Sequence, residues 1–220
     1  GMLSLCQTAF FGLGGYAYAV TSMNLLSITG ETITGVVTGI AIAAAIAVML
    51  GNLIIYGRIS GLYLVVVTLV FTLINYTLFS SLGNPRYTIG SVMLGGPTGI
   101  NGIPTLTLFG SSLDYRATYI VLVVVLGGMY IGLRWLLRSR IGRITAAVRE
   151  NELRCEMLGY DVRLIKLQVF VLGAAVAALA GVFYATWGRV VNPSAFSLGL
   201  AVAVVLWLLV GGCKYMFGGL

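Results

Sequence analysis

The stretch RSRIGRITAAVRENELRCEMLGYDVRLIK, residues 138–166, is the one long charged run of this chain. It holds seven of the thirteen Lys and Arg residues and four of the six acidic residues, and long apolar segments lie on both sides of it. An ionised side chain at the centre of a bilayer costs a few kcal/mol even on the most lenient insertion scale. The stretch is therefore predicted to be a water-facing loop between membrane segments.

This loop also carries the pattern of a helix. The sequence TAAVRENELRCEML, residues 145–158, consists largely of good helix formers, and Gly159 stands where a left-handed residue ends a helix. A helical wheel predicts one apolar face and a narrower second stripe of Leu153 and Met157. The members of the first face are Ile144, Ala147, Val148, Cys155 and Leu158. We expect a helix wedged between the membrane body and a second protein, with a solvated connector as the alternative.

Composition indicates the class of protein. The 220 residues are 59% hydrophobic and 9% charged, and their mean hydropathy is +1.02. Continuous apolar runs of this length predict an all-α, polytopic transmembrane helical bundle rather than a barrel of alternating strands. Most basic residues lie in one loop beside the spans, which indicates membrane orientation and not binding to nucleic acid. The chain has no histidine and three isolated cysteines, which excludes the usual zinc spacings and His-based catalysis, and no cofactor is predicted.

About six membrane segments are predicted, and the first is the least apolar, so that a bent or re-entrant course stays open for it. Their approximate ranges are 3–23, 34–56, 61–80, 118–137, 165–187 and 198–212. If the charged loop is cytoplasmic, alternation places ten basic residues inside and three, Arg86, Arg116 and Arg189, outside. This bias predicts a cytoplasmic loop at residues 138–164.

The opposite face has a different composition. Residues 81–116 contain seven glycines and three prolines, including GGPTGINGIP at 95–104. Such a stretch is too broken for a helix and too long for a minimal turn. We expect an extracytoplasmic loop that docks a soluble partner or covers a pore mouth, with a passive connector as the alternative.

In the fifth segment, Gly173, Ala177 and Gly181 recur at four-residue spacing, which predicts close helix packing.

No Asp, Glu, Lys or Arg lies in the middle of a predicted span. Proton-driven carriers commonly use an intramembrane carboxylate or histidine, so energy for uphill transport is expected to enter from outside the membrane. A path without charge favours a solute of zero net charge, zwitterionic or uncharged. Thr72 and Asn75 are candidate pathway residues because a hydroxyl or amide at depth needs a partner, and the alternative partner is a neighbouring helix.

Several ordered blocks resemble the permease subunits of ATP-binding cassette (ABC) importers for branched-chain amino acids and related small amides, specifically the M-type partner of the permease pair. These blocks are LSLCQTAFFGLGGYAYA, RISGLYLVVVTLVF, GGPTGINGIP, NPSAFSLGLAV and, above all, residues 138–185. The resemblance implies a single permease domain over residues 1–220. It starts within the family pattern and departs from it after Gly212, so a fragment of a longer permease is expected.

The resemblance also implies partners and a site. The loop at 138–164 would be a coupling segment on a cytoplasmic ATPase, with Arg143, Arg149, Glu150, Glu152 and Gly159 as its contributing residues. In the importer motif, an EAA triplet precedes a glycine by three residues; here Gly159 matches but Leu153, Arg154 and Cys155 replace the triplet. The implied partners are a second permease subunit, two ATPase subunits that hydrolyse ATP, an extracytoplasmic substrate-binding protein and the bilayer of a bacterial-type inner membrane.

The implied substrates are leucine, isoleucine and valine, with urea or short-chain amides as the alternative. Three other classes stay open at this point. A secondary carrier or channel would need no ATPase, and an intramembrane enzyme would have few groups for chemistry, since the spans lack histidine and paired carboxylates. A truncated relative that inserts but does not assemble is the third.

Overall fold

The computed structural model describes residues 5–29, 32–57, 62–83, 88–90, 92–108, 111–112 and 114–211. Within these residues the chain is almost entirely helical. The helices are α1 (Gln7–Thr29), α2 (Ile33–Tyr56), α3 (Leu62–Ser81), α4 (Tyr115–Arg138), α5 (Arg140–Glu150), α6 (Glu152–Met157), α7 (Val162–Gly188) and α8 (Leu198–Gly211). The strands are β1 (Thr88–Ile89), β2 (Val92–Met93), β3 (Ile100–Asn101), β4 (Thr107–Leu108), β5 (Ser111–Ser112) and β6 (Val190–Val191). Two 3-10 turns lie at Gly96–Thr98 and Pro193–Phe196.

The predicted fold class is confirmed. Each predicted apolar segment corresponds to a helix, namely α1, α2, α3, α4, α7 and α8. Among the described residues, four helices are long and apolar enough to span a bilayer: α2, α3, α4 and α7. The first segment, for which a bend was open, is one continuous helix of 23 residues. The described part of α8 has 14 residues.

Helices α1, α2 and α7 pack against one another and form the core of the bundle. Small residues allow their backbones to approach closely. A Cβ atom on Gly14 of α1 would lie 2.5 Å from the carbonyl oxygen of Ala178, and one on Gly181 of α7 would lie 1.8 Å from that of Phe11. Ala174 and Ala178 are fully buried on the same face of α7. The small-residue stripe of the fifth segment therefore packs against α1, as predicted.

An aromatic stack joins this core to α3 and to the turn before α8. The ring centroids of Tyr16 and Phe79 are 4.3 Å apart, and those of Phe79 and Phe196 are 5.0 Å apart. Phe196 is fully buried and lies against Gly12 of α1, where a Cβ atom would be 2.3 Å from its ring. The 193–196 turn thus contacts both α1 and α3, and α8 begins directly after it.

The Gly- and Pro-rich segment covers one end of the core, which we call the loop end. Its apolar residues Val92, Leu94, Ile100, Ile103 and Leu106 are buried. Strand β3 pairs with β6, which follows α7. Polar contacts attach the segment to the helix ends: the amide of Asn24 donates to the Ile89 carbonyl at 2.9 Å, and the Thr107 backbone N–H donates to the Thr32 hydroxyl at 2.9 Å. The segment is irregular, as expected, and part of the core.

Candidate functional site

The charged stretch lies at the other end of the bundle, which we call the charged end, and it begins with a sharp corner between α4 and α5. Ser139 has an extended backbone (ψ 175°), and its hydroxyl donates to the Leu136 carbonyl at 2.5 Å. A Cβ atom on Gly142 would lie 2.2 Å from the carbonyl oxygen of Leu137. The corner therefore requires glycine at position 142, and the extended backbone of Ser139 interrupts the helix between α4 and α5.

The prediction of one continuous helix over residues 145–158 was wrong. Helix α5 ends at Glu150 and α6 begins at Glu152, because Asn151 adopts an extended conformation (φ −154°, ψ 103°). Its side-chain oxygen accepts a hydrogen bond from the Arg154 N–H at 3.0 Å. Asparagine is among the best residues at a helix N-cap and competes with the helical backbone elsewhere. The break is therefore encoded by Asn151, a signal that the propensity of its neighbours conceals.

The predicted stop at Gly159 is confirmed. Gly159 has a left-handed backbone with φ +84°. Its N–H donates to the Glu156 carbonyl at 2.9 Å, and the Tyr160 N–H donates to the Cys155 carbonyl at 3.1 Å, which is the Schellman pattern of a helix C-terminus. The chain then starts α7 at once, because the Asp161 carboxylate accepts hydrogen bonds from the Arg163 and Leu164 N–H groups.

The break changes which apolar side chains are buried. Val148, Cys155 and Val162 form a small buried cluster that joins α5, α6 and the start of α7. Ala147 is exposed and Leu158 is 70% exposed, although the helical wheel placed both on one apolar face with Val148 and Cys155. The wheel assumed a single helix axis, and the turn at Asn151 rotates α6 relative to α5.

Three large apolar side chains of this region stay exposed, because no described residue covers them. Leu153 is 68% exposed, Met157 is 86% exposed and Leu158 is 70% exposed. They lie on or directly after α6, and we call them the α6 patch. Exposed apolar side chains that lie together mark a contact with another protein or with a membrane.

The predicted charged residues of this region lie on α5 and at the start of α6, and they do not form one cluster. Arg143, Arg149 and Glu150 lie on α5 and are exposed, and none of them forms an ion pair with a described residue. Glu152, at the start of α6, does pair: its carboxylate lies 2.6 Å from the Lys166 ammonium of α7.

Two contacts that the sequence reasoning missed attach this region to the bundle. One is the Glu152–Lys166 pair. The other is the Arg163 guanidinium, which lies 5.8 Å from the ring centroid of Tyr56 at the end of α2. Asp161 directly before the apolar run of α7 was a readable capping signal, whereas contacts between separate helices leave no local pattern.

The candidate pathway residues Thr72 and Asn75 lie on α3 and have partners within the protein. Thr72 is buried, and its hydroxyl lies 3.2 Å from the Leu5 carbonyl oxygen and 3.0 Å from that of Thr68. The Thr68 hydroxyl in turn accepts a hydrogen bond from the Leu5 N–H at 3.3 Å. Asn75 is half-buried and donates to the Phe71 carbonyl at 2.8 Å. These contacts fix the start of α1 against α3.

No group of three potential metal ligands comes together among the residues placed in the structure.

Comparisons with known proteins match the whole chain. Residues 1–220 match the family described as branched-chain amino acid transport system / permease component. The high-affinity branched-chain amino acid transport system permease protein LivM of Escherichia coli is 31% identical over 99% of this chain. Its namesake from Salmonella typhimurium is 30% identical over 99% of the chain. A probable LivM protein of Methanocaldococcus jannaschii is 26% identical over 90% of the chain.

The chain spans about half the length of these relatives, covering 54% of the Escherichia coli protein and 57% of the Methanocaldococcus jannaschii protein. No solved structure matches it. The apolar helices able to span a bilayer and the match over all 220 residues agree with each other. The chain therefore belongs to the branched-chain amino acid transport permease family, whose members are transport components, and is a multi-pass protein of the inner membrane.

Proposed function

We propose that this chain is a transmembrane permease subunit of an ABC importer, which translocates leucine, isoleucine and valine and is not itself catalytic. The observation that carries the proposal is the family match over residues 1–220. The relatives named for branched-chain amino acid transport support the substrate class. The proposed partners are a second permease subunit, two cytoplasmic ATPase subunits and an extracytoplasmic substrate-binding protein.

Residues 138–164 are the proposed cytoplasmic coupling segment. The α6 patch exposes apolar area; Arg143, Arg149 and Glu150 are exposed on the preceding helix α5, and Glu152 is exposed at the start of α6. An apolar centre with a charged rim is the usual anatomy of a protein–protein contact. Gly159 ends α6, so that the patch lies on a short, firmly terminated helix. The Val148–Cys155–Val162 cluster and the Glu152–Lys166 pair connect this helix to α7.

The proposed pathway is uncharged. The middle of every predicted span lacks ionisable Asp, Glu, Lys and Arg, which suits a zwitterionic amino acid because it has no net charge to compensate. Thr72 and Asn75 remain proposed pathway residues on α3. Their partners in this chain assign them a packing role as well, and substrate kinetics separate the two roles.

The function is tested by reconstitution. A complex of this permease with the ATPases, second permease and binding protein from neighbouring genes is placed in vesicles, and uptake of labelled leucine is measured with and without internal ATP. Uptake that requires ATP and is inhibited by isoleucine and valine supports the proposal. Inhibition by urea or acetamide, but not by valine, would assign the short-amide alternative, and uptake without nucleotide would assign a secondary carrier.

The chain alone supplies the control. If it inserts into membranes but captures neither a second permease nor an ATPase on purification, it is a relative that does not assemble. That outcome would remove the proposed importer function while leaving its family membership intact.

A further inference from the structure

The last turns of α4, at the charged end, line a shallow recess of about 420 Å³. Its lining residues are Tyr130, Ile131, Arg134, Trp135 and Arg138. Residues four apart lie on the same face of a helix, so Tyr130, Arg134 and Arg138 form one row, and Ile131 and Trp135 form the next. Trp135 is 75% exposed and Ile131 is 68% exposed, so the described chain leaves this face uncovered.

The recess carries uncompensated positive charge. Residues 115–149 contain six arginines and no Asp or Glu. Arg134 and Arg138 are both exposed, and neither forms an ion pair within the described ranges. Arg140 and Arg143 follow directly on α5 and are exposed as well. An occupant of this face therefore has to bring negative charge.

The order of side chains along α4 matches the layers of a membrane interface. Ile131 comes first, Arg134 and Trp135 follow about one turn later, and Arg138 is the last residue of the helix, so that the Arg134 side chain has to extend toward the end of the helix to reach the headgroups. Apolar side chains contact acyl chains, tryptophan favours the interfacial layer, and arginine extends its charge to the headgroups. None of the most apolar 18 residues of α4 is buried in the described chain, so the recess continues a surface suited to lipid.

We propose that this recess binds an anionic phospholipid of the leaflet at the charged end. The guanidinium groups of Arg134 and Arg138 hold the headgroup, because their planar forks match phosphate oxygens, and Trp135 and Ile131 lie along the upper acyl chains. A zwitterionic lipid offers the same phosphate but carries an ammonium that offsets it. Each basic residue near the surface favours anionic lipid by about five-fold, so the pair predicts a selectivity of an order of magnitude or more. The inference is independent of what the protein transports.

The test compares two lipids that carry a photoreactive diazirine near the headgroup, phosphatidylglycerol and phosphatidylcholine. The full chain, in its assembled complex, is reconstituted with each lipid and illuminated, and cross-links to the peptide containing residues 130–138 are counted by mass spectrometry. The variant is Arg134→Gln with Arg138→Gln. The matched control is Arg116→Gln, an exposed arginine at the opposite end of the same helix.

We expect phosphatidylglycerol to cross-link to this peptide about ten-fold or more above phosphatidylcholine, and the preference to fall to near unity in the double variant but not in the control. An unchanged size-exclusion profile is the control that the double variant is folded. If the contact is electrostatic, raised salt weakens the preference for phosphatidylglycerol. Equal cross-linking of the two lipids would overturn the proposal. So would cross-links from residues 130–138 to a protein subunit, with none to lipid, which would assign the recess to a protein interface.

Discussion

Gly181 of α7 and the glycines of α4 have opposite surroundings: neighbouring backbone lies against Gly181, and open space surrounds those of α4. In α7, a Cβ atom on Gly181 would lie 1.8 Å from a backbone oxygen of α1, whereas Cβ atoms on Gly127, Gly128 and Gly132 of α4 would meet nothing within 4 Å. A third of the most apolar window of α7 is buried (33%), against none of that of α4 (0%). Both helices are apolar enough to span a bilayer.

This difference teaches that apolar length and glycine content place a helix in a membrane without specifying its neighbours. In water, a face like that of α4 would need a protein cover; in a bilayer, acyl chains cover it at no hydrophobic cost. The α1–α2–α7 core is therefore held by close backbone contact, whereas the described part of the chain leaves α4 uncovered.

The largest effect is expected from Gly181→Ala, because the added methyl group overlaps the carbonyl oxygen of Phe11. Overpacking of this kind costs about 3 kcal/mol or more when backbone has to move. The matched control Gly128→Ala lies in open space and gains about 1 kcal/mol of helix propensity at most. Thermal unfolding in detergent measures both. Equal losses in the two variants would contradict the contrast between α7 and α4.

The second effect concerns the proposed coupling segment. Leu158→Arg introduces charge into the α6 patch, and we expect ATP-driven uptake to fall about thirty-fold, since an anchoring apolar contact contributes about 2 kcal/mol. Thermal stability is unchanged because Leu158 is 70% exposed. The control Leu158→Met keeps an apolar side chain and retains uptake. Normal uptake in Leu158→Arg would remove the α6 patch from the proposed ATPase contact.

A smaller effect is expected at the joint between α1 and α3. Thr72→Val keeps the side-chain shape but removes the hydrogen bond to Leu5, at a cost of about 1 kcal/mol. Thr77→Val is the control, because the Thr77 hydroxyl contacts only carbonyls of its own helix. A lower melting temperature with unchanged KM for leucine indicates packing alone. A higher KM with little change in stability would instead support the pathway role of Thr72.

The smallest effect is expected at the pair of Glu152 and Lys166. Exposed ion pairs contribute about 0.2–1 kcal/mol, so Glu152→Lys alone lowers stability slightly while it reduces ATP-driven uptake. The exchange of both charges, Glu152→Lys with Lys166→Glu, restores the pair. If uptake also recovers, Glu152 acts through α7; if uptake stays low while stability recovers, Glu152 contacts the ATPase directly.

The sequence predicted the helices because each membrane segment is a continuous apolar run, and it predicted the end of α6 because a left-handed residue is nearly always glycine. It did not predict the break at Asn151, since good helix formers surround that residue. The Glu152–Lys166 pair joins two different helices, so its 14-residue separation carries no periodic signal. The wheel grouped Leu158 with Val148 and Cys155 on one face, and the break at Asn151 separates them, since Val148 and Cys155 are buried while Leu158 is exposed.

The stack of Tyr16, Phe79 and Phe196 has a mechanical consequence. The three rings belong to α1, α3 and the turn that precedes α8, so they connect elements that are far apart in sequence. Phe196 lies against both other rings, with its centroid 5.7 Å from that of Tyr16 on α1 and 5.0 Å from that of Phe79 on α3. If α1 moves against α3, at least one of these ring contacts has to change, and we expect the turn before α8 to respond to that motion.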